Sequence, residues 1–224
     1  MADGVSGERG AEMPPAPVLD AQTVLLVVDV QNGFCTGGGL AVPAGEQVVP
    51  VINRLARRFE NVVLTQDWHP RGHASFATSH PGRAAFETIE LDYGPQVLWP
   101  EHCVQGTTDA ELHPQLDVPH AQLIVRKGFH PRVDSYSAFQ EADRRTPTGL
   151  HGYLTERAIR RIVVAGLATD FCVAWTALDA RRLGYDTWVA EDACRAIDLE
   201  GSLAAAWQRM AEAGVVRLRA DAFG

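Results

Sequence analysis

Six short apolar runs recur along the chain, and segments with helical spacing separate most of them. The first run, TVLLVVD at 23–29, lacks alternation between polar and apolar residues, which is typical of a strand buried on both faces of a parallel sheet. The other runs occupy 62–65, 122–126, 162–165, 186–190 and 215–218, and helical spacing occupies 47–60, 148–158, 170–183 and 202–213. This alternation predicts a doubly wound (Rossmann-like) α/β fold, in which helices cover both faces of a six-stranded parallel sheet.

Composition limits the partners and the environment of the protein. The 224 residues suit one domain, and we expect a disordered tail at 1–17 and a single domain at 18–224. A net charge of −8 argues against nucleic acid or an anionic membrane as a partner, and no apolar run approaches the ~20 residues of a membrane span. Four cysteines without C-x-x-C spacing indicate free thiols and a cytoplasmic location. The sequence does not determine the oligomeric state, and it is compatible with a homo-oligomer.

Reactive side chains stand at the carboxyl ends of three predicted strands, where open α/β sheets bind their ligands. Asp29 ends the first strand, Lys127 follows the third, and the fourth leads into a helix with Cys172 in its first turn. Thr169 or Asp170 is expected to cap that helix. A helix N-terminus and a neighbouring lysine both favour a thiolate, and a carboxylate can accept its proton. A lone cysteine is more often a buried apolar residue, but the three side chains together indicate a nucleophile.

A second group of polar residues follows the second predicted strand. Asp67 and His69 come directly after that strand, and His73 and His102 lie in the long irregular stretch at 70–118. Carboxylate and imidazole groups are the usual ligands of Zn²⁺, Fe²⁺ or Mn²⁺. The D-x-H spacing alone is a weak signal. It gains weight because the end of this strand lies on the same sheet edge as the candidate nucleophile.

Aromatic residues are available to hold a flat substrate at this edge. Phe34, Trp99 and Tyr136 are the candidates, and ordinary core packing explains them equally well. The dinucleotide fingerprint, the P-loop and the H-E-x-x-H motif are all absent from the sequence. The residues alone therefore indicate hydrolytic or acyl-transfer chemistry rather than nucleotide-dependent chemistry.

Five motifs resemble the nicotinamidase/pyrazinamidase family of the isochorismatase-like cysteine hydrolases. They are DVQNGFC at 29–35, TQDWHP at 65–70, WPEHCVQGT at 99–107, RKG at 126–128 and GLATDFCV at 166–173. The resemblance covers nearly all of 20–218 in order. The DWHP and WPEHCVQGT motifs are more specific to nicotinamidases than the Asp, Lys and Cys set, which the whole superfamily shares.

The resemblance implies an isochorismatase-like hydrolase fold and a metal-dependent cysteine amidohydrolase. By this resemblance the triad is Asp29, Lys127 and Cys172, the metal ligands are Asp67, His69 and His102, the oxyanion hole is formed by the N–H groups of Ala168 and Cys172, and the pocket aromatics are Phe34, Trp99 and Tyr136. His73 would be a weak fourth ligand or lie behind the ligands. A cis peptide is expected at Leu167–Ala168.

The implied reaction is hydrolysis of nicotinamide to nicotinate and ammonia through a cysteine thioester. Pyrazinamide is expected as a further substrate, and the biological role would be pyridine nucleotide salvage for NAD biosynthesis. The cofactor would be one divalent transition metal, with zinc as the first choice and iron or manganese as alternatives. The metal would bind the pyridine nitrogen and orient the ring.

Other interpretations remain open from the sequence. A related amidohydrolase acting on an N-carbamoyl, ureido or maleamate-type substrate would keep the triad but generally lack the metal set. An isochorismatase proper would have no use for Cys172. A non-catalytic binding protein of this fold would not need an intact triad, and a thiol redox protein would need a resolving cysteine, for which only Cys35 is a candidate.

Overall fold

The computed structural model describes residues 16–223, so residues 1–15 of the predicted tail lie outside the described part. In chain order its strands are β1 (Thr23–Val28), β2 (Asn61–Asp67), β3 (Thr88–Leu91), β4 (Gly94–Val97), β5 (Leu123–Lys127), β6 (Arg161–Leu167), β7 (Asp186–Arg195) and β8 (Val216–Leu218). Its α-helices are α1 (Val48–Ala56), α2 (Leu150–Glu156), α3 (Ala174–Arg182) and α4 (Ser202–Glu212).

One parallel sheet forms the centre of the fold. Six strands are hydrogen-bonded in the order β5-β2-β1-β6-β7-β8, and every neighbouring pair is parallel. The chain winds outward from β1 to β2 and β5, then returns to β6 and winds the other way to β7 and β8. The topological switch point therefore lies between β1 and β6, where such sheets bind ligands at the carboxyl ends of their strands. This architecture confirms the predicted doubly wound sheet.

Two apolar layers bury the central strands from both sides. Leu25 and Val27 of β1 face one layer, which includes Ile52 of α1. Val24 and Leu26 face the other layer, to which α2, α3 and α4 contribute. Because alternate side chains of β1 enter different layers and every residue of the strand is buried, its sequence shows no polar alternation.

The helices are shorter than their periodicity predicted. The segment at 148–158 is helical only between Gly149 and Arg157, because Gly149 and Ala158 have φ angles of 94° and 55°, which do not fit a right-handed helix. The segment at 47–60 ends as a helix at Ala56, where the chain turns tightly towards β2. None of the helices in the described part of the chain is long and apolar enough to cross a membrane.

Two strand features differ from the prediction. The stretch at 70–118 contains the antiparallel hairpin of β3 and β4, whose strands have only four residues each. Such short strands carry too little period-2 pattern to be distinguished from a loop. In addition, β7 continues beyond the predicted end at 190 to Arg195, and its pairing with β6 shifts register between Val164 and Gly166.

Candidate active site

The switch point between β1 and β6 brings the three predicted catalytic side chains together. Nζ of Lys127 lies 2.8 Å from Oδ2 of Asp29 and 3.4 Å from Sγ of Cys172. Lys127 also donates to the Ser135 carbonyl at 2.8 Å, and the Thr65 hydroxyl donates to Oδ1 of Asp29 at 2.5 Å. All three predicted residues are buried. The arrangement places a carboxyl group, an ammonium group and a thiol next to one another.

Lys127 is the only lysine of the sequence, and its charge is shared between two carboxylates. It forms ion pairs with Asp29 and Asp67. Burial alone would lower the pKa of Lys127, but the two carboxylate charges outweigh burial and raise that pKa well above its usual value. Burial also raises the pKa of Asp29, against the opposing charge of Lys127. The ammonium is therefore the permanent counter-charge of the site.

The surroundings of Cys172 oppose the thiolate that the helix N-terminus and Lys127 were expected to favour. Burial raises the pKa of Cys172 well above its usual value; Lys127 opposes this, whereas the charges of Asp29 and Asp67 add to it. The sequence does not show that Lys127 also forms ion pairs with these two carboxylates. The thiol must lose its proton during attack, and the carboxylate of Asp29, within 4.8 Å of Sγ, is placed to accept it.

The three predicted metal ligands form a second cluster beside the thiol. Ligand atoms of Asp67, His69 and His102 all lie within 4.8 Å of one another. Nε2 of His69 is 3.6 Å and Nε2 of His102 is 3.8 Å from Oδ2 of Asp67. Each Nδ1 lies 2.8 Å from a carbonyl oxygen, of Gly128 and Pro100 respectively. Carbonyl oxygens only accept, so Nδ1 carries a hydrogen in both rings, and Nε2 of the neutral ring has a lone pair for a metal ion.

One cavity of about 310 Å³ opens onto both clusters. This volume includes space at the open mouth of the cavity. Its walls are formed by Phe34, Leu40, Asp67, Trp99, His102, Asp134, Tyr136, Ala168, Phe171, Cys172 and Ile197. The three predicted aromatics therefore line it. Nε1 of Trp99 donates to the Tyr136 hydroxyl at 3.0 Å, which fixes both rings.

Comparison with known proteins gives the family. Residues 23–221 match the isochorismatase domain. The chain is 62% identical to a nicotinamidase of Acinetobacter baylyi over 194 residues, which cover 87% of this chain and 91% of that relative. The chain belongs to the nicotinamidase/pyrazinamidase family of isochorismatase-like hydrolases.

Solved structures of nicotinamidases and pyrazinamidases share its fold over most of the chain. A nicotinamidase/pyrazinamidase of Acinetobacter baumannii is 63% identical with a TM-score of 0.89, and the match covers 90% of this chain and 98% of that one. A pyrazinamidase of Pyrococcus horikoshii in complex with zinc is 32% identical with a TM-score of 0.73, covering 88% and 99% of the two chains. The similarity thus extends beyond the motifs to the whole domain.

His73 of this nicotinamidase-family chain lies behind the three candidate metal ligands. Its Nε2 is 2.9 Å from the His130 carbonyl and 3.1 Å from the Val133 carbonyl, and its Nδ1 accepts from the Ser75 hydroxyl at 2.8 Å. Both ring nitrogens are therefore engaged with protein atoms. Burial lowers the pKa of His73 to about 4, so the ring is neutral and packs against His69, with centroids 4.3 Å apart. The geometry supports the second of its two predicted roles, a position behind the ligands.

The structure adds two residues that the sequence patterns did not single out. The side chain of Gln31 bonds both main-chain groups of Asp67: its Oε1 accepts from the N–H and its Nε2 donates to the carbonyl, each at 2.8 Å. Phe171 stands edge-on to Trp99 with centroids 4.8 Å apart and closes one wall of the cavity. Both residues lie inside the family motifs, and Phe171 directly precedes Cys172. The motifs could therefore have pointed to them as site residues.

The predicted cap of the nucleophile helix is wrong. Thr169–Val173 form a π-helical turn ahead of α3, and neither Thr169 nor Asp170 makes a side-chain cap hydrogen bond there. The turn is instead closed at Ala168, whose carbonyl accepts from the N–H groups of Phe171 and Val173 at 3.1 Å. The Leu167–Ala168 peptide is cis, as the family resemblance implied. Ala168 and Cys172 both line the cavity, where their predicted oxyanion role remains a prediction.

Proposed function

We propose that this amidohydrolase converts nicotinamide to nicotinate and ammonia through a thioester on Cys172. One observation carries the proposal: a single aromatic cavity touches both the candidate nucleophile and the candidate metal ligands Asp67 and His102. A pyridine ring held between Phe34 and Trp99 would therefore meet the metal cluster at its nitrogen and the thiol at its carboxamide. The relatives named nicotinamidase, one of them 62% identical, support this substrate.

The first chemical step is attack by the thiol on the carboxamide. Sγ of Cys172 forms a bond to the amide carbon while the thiol proton passes to Asp29, and Lys127 balances the negative charge of the two buried carboxylates throughout. The carbonyl oxygen becomes an oxyanion, which the N–H groups of Ala168 and Cys172 would stabilise. Losing one such donor typically raises the barrier by ~3–4 kcal/mol.

The second half of the reaction returns the enzyme to its starting state. Asp29 gives its proton to the departing nitrogen, the C–N bond breaks, and ammonia leaves a thioester on Cys172. A water molecule then attacks the thioester carbon while Asp29 again accepts a proton. The C–S bond breaks, nicotinate is released, and the proton on Asp29 returns to the thiol. One carboxylate thus serves as base and acid in turn.

We further propose that Asp67, His69 and His102 hold one divalent transition-metal ion. Zinc is the first choice and iron or manganese the alternatives, since mixed nitrogen and oxygen sites accept several metals. The bound ion would supply a Lewis-acid anchor for the pyridine nitrogen. The free Nε2 atoms, the carboxylate Oδ2 and the zinc complex of the Pyrococcus horikoshii pyrazinamidase support this assignment.

The wider role follows from the same chemistry. We propose that the protein also deamidates pyrazinamide, whose ring has the same shape, and that it takes part in pyridine nucleotide salvage. A relative from Mycobacterium tuberculosis named nicotinamidase/pyrazinamidase, 36% identical, supports the second substrate. The four buried free cysteines suit a reducing compartment such as the cytoplasm, which we propose as its location.

The decisive test is ammonia release by the purified protein. Nicotinamide and pyrazinamide would be compared with an N-carbamoyl amino acid and a ureido acid, each with untreated and chelator-treated protein. We expect ammonia from the two pyridine-type amides, and its loss after chelation with recovery on adding Zn²⁺. Turnover of only the N-carbamoyl or ureido substrates, unaffected by chelation, would contradict the proposal and favour the related amidohydrolases.

His102→Ala is expected to remove the metal ion while leaving the fold intact. The loss of one of three ligand atoms should weaken metal affinity more than about 100-fold, since removal of groups behind a ligand already costs about 10–100-fold. Metal content per chain by elemental analysis measures the effect. His120→Ala is the matched control, because its ring forms a hydrogen bond with the Ala56 carbonyl and His120 does not line the cavity. Equal metal content in both variants would remove His102 from the ligand set.

A further inference from the structure

The carboxylate of Asp170 joins the nucleophile turn to a distant loop. Asp170 stands two residues before Cys172 and is 1% exposed. It accepts hydrogen bonds from the N–H of Ile197 at 3.1 Å, the N–H of Asp198 at 2.7 Å and the hydroxyl of Ser202 at 2.5 Å. These three donors all belong to the segment between β7 and the start of α4, which is named here the 197–202 loop.

The nucleophile turn is held by contacts from outside itself as well as by its own hydrogen bonds. It is a single π-helical turn, Thr169–Val173, without a side-chain cap at its N-terminal residue Ala168. A wide turn of this kind lacks the regular i to i−4 hydrogen bonds that hold an α-helix in place. The bonds of Asp170 therefore supply a fixed attachment within the turn that carries Cys172.

The 197–202 loop is both strained and part of the reaction cavity. Asp198 and Glu200 have φ angles of 56° and 50°, a left-handed backbone that non-glycine residues adopt at an energetic cost. The N–H of Asp198 is one of the groups that Asp170 binds. Ile197, the first residue of the loop, lines the cavity beside Cys172. The carboxylate of Asp170 thus links the turn that carries Cys172 to a segment that forms part of the cavity wall.

We propose that Asp170 is a positioning residue, which acts through Cys172 by coupling the nucleophile turn to the 197–202 loop. The catalytic effect of Asp170 rests on the proposed function, whereas the coupling between the turn and the loop does not depend on it. The carboxylate suits the role because all three partners are donors and it offers only acceptors. Its buried charge is satisfied by these bonds, so their loss leaves buried donors without partners.

Asp170→Asn tests the coupling with almost no change in shape. One carboxylate oxygen becomes an NH₂ group, which faces donors instead of accepting from them. Ser202→Ala is the milder second variant, since it removes one donor and leaves the carboxylate in place. Asp143→Asn is the matched control: Asp143 also accepts from two N–H groups and one hydroxyl, but all belong to Arg145 and Thr146 in its own local turn, outside the cavity wall.

Hydrogen–deuterium exchange measures the coupling without any substrate. Asp170→Asn is expected to increase exchange in two peptides at once, one covering 168–173 and one covering 197–202, and Ser202→Ala should do the same more weakly. Asp143→Asn should leave both peptides unchanged. Unchanged exchange at 168–173 in both Asp170→Asn and Ser202→Ala would overturn the coupling, whether or not the protein hydrolyses nicotinamide.

Binding of the aldehyde analogue of nicotinamide separates positioning from mere stability. A thiol adds to an aldehyde by forming an S–C bond while its proton moves to the former carbonyl oxygen, so the adduct imitates the tetrahedral intermediate. Nicotinate binds without any bond to sulfur. In Asp170→Asn we expect kcat to fall about 10–100-fold, KM to change less than about threefold, and the aldehyde to lose affinity by a factor similar to that in kcat while nicotinate does not.

The outcomes distinguish the two proposals. Wild-type protein without nicotinamide turnover would contradict the proposed function and leave the exchange experiment to decide the coupling. Wild-type turnover with equal losses of aldehyde and nicotinate affinity in Asp170→Asn would overturn the positioning role. If Asp170→Asn does not fold, the losses of aldehyde and nicotinate affinity are compared in Ser202→Ala instead. For that variant we expect a kcat decrease of about 3–10-fold.

Discussion

Cys172→Ala is expected to lower nicotinamide turnover by about four to six orders of magnitude while the fold remains intact. The thiol sulfur is the protein atom proposed to form a covalent bond to the substrate, so no neighbouring group can replace it. Removal of the thiol is expected to leave the cavity walls, the candidate metal ligands and the ion pairs of Lys127 unchanged. Ammonia release at saturating nicotinamide, with substrate affinity measured separately, checks the result.

The control for this variant is another buried cysteine. Cys194 is 4% exposed, close to the 5% of Cys172, and both belong to the same apolar layer, but Cys194 does not line the cavity. Cys194→Ala should therefore keep turnover close to wild type and lose some stability through the small void. Equal turnover of Cys172→Ala and Cys194→Ala would disprove the nucleophile assignment.

Lys127→Met is expected to lower the free energy of unfolding by about 3–5 kcal/mol and to abolish turnover. Methionine has a similar length, so the loss is mainly electrostatic. Without the ammonium, Asp29 and Asp67 remain buried close together with no cation between them. Chemical denaturation measures the stability, and the same preparation is assayed for ammonia release.

Arg126→Met is the control for the lysine variant. Arg126 precedes Lys127 on the same strand but is exposed, and its guanidinium lies over the ring of Trp68 at 3.8 Å from the centroid. We expect this variant to lose no more than about 1 kcal/mol and to keep turnover. A loss of stability as large in Arg126→Met as in Lys127→Met would contradict the special role of the buried ion pairs.

The raised pKa of Lys127 also predicts how stability depends on pH. A group whose pKa is higher in the folded state contributes its full stabilisation below its unfolded value, about 10.4 for lysine, and loses it as pH rises through the folded value. Since Lys127 is the only lysine, isotope labelling of lysine gives a single side-chain NMR signal. That signal should show no deprotonation up to pH about 10.4; titration at or below this pH would contradict the prediction.

Local patterns were sufficient to predict the fold class. The runs at 23–29 and 162–165 lack polar alternation because both faces of their strands are buried. This pattern can be recognised within a few consecutive residues. The helical spacing at 170–183 likewise stops where α3 does, because Gly184 follows with a φ of 91°. The four-residue strands of the hairpin escaped prediction because they are too short for any period to show.

The sequence by itself determined which reactive groups stand at the carboxyl edge of the sheet, since each one follows an apolar run. Only the tertiary structure decided how their charges are shared. Burial and the charges of Asp29 and Asp67 raise the pKa of Cys172, and Lys127 opposes them while it is also paired with those two carboxylates. The expected cap by Asp170 was wrong because its partners lie in a loop that follows a later strand. Periodicity is a local property of the chain, whereas ion pairs and buried hydrogen bonds depend on distances that exist only after the strands have come together.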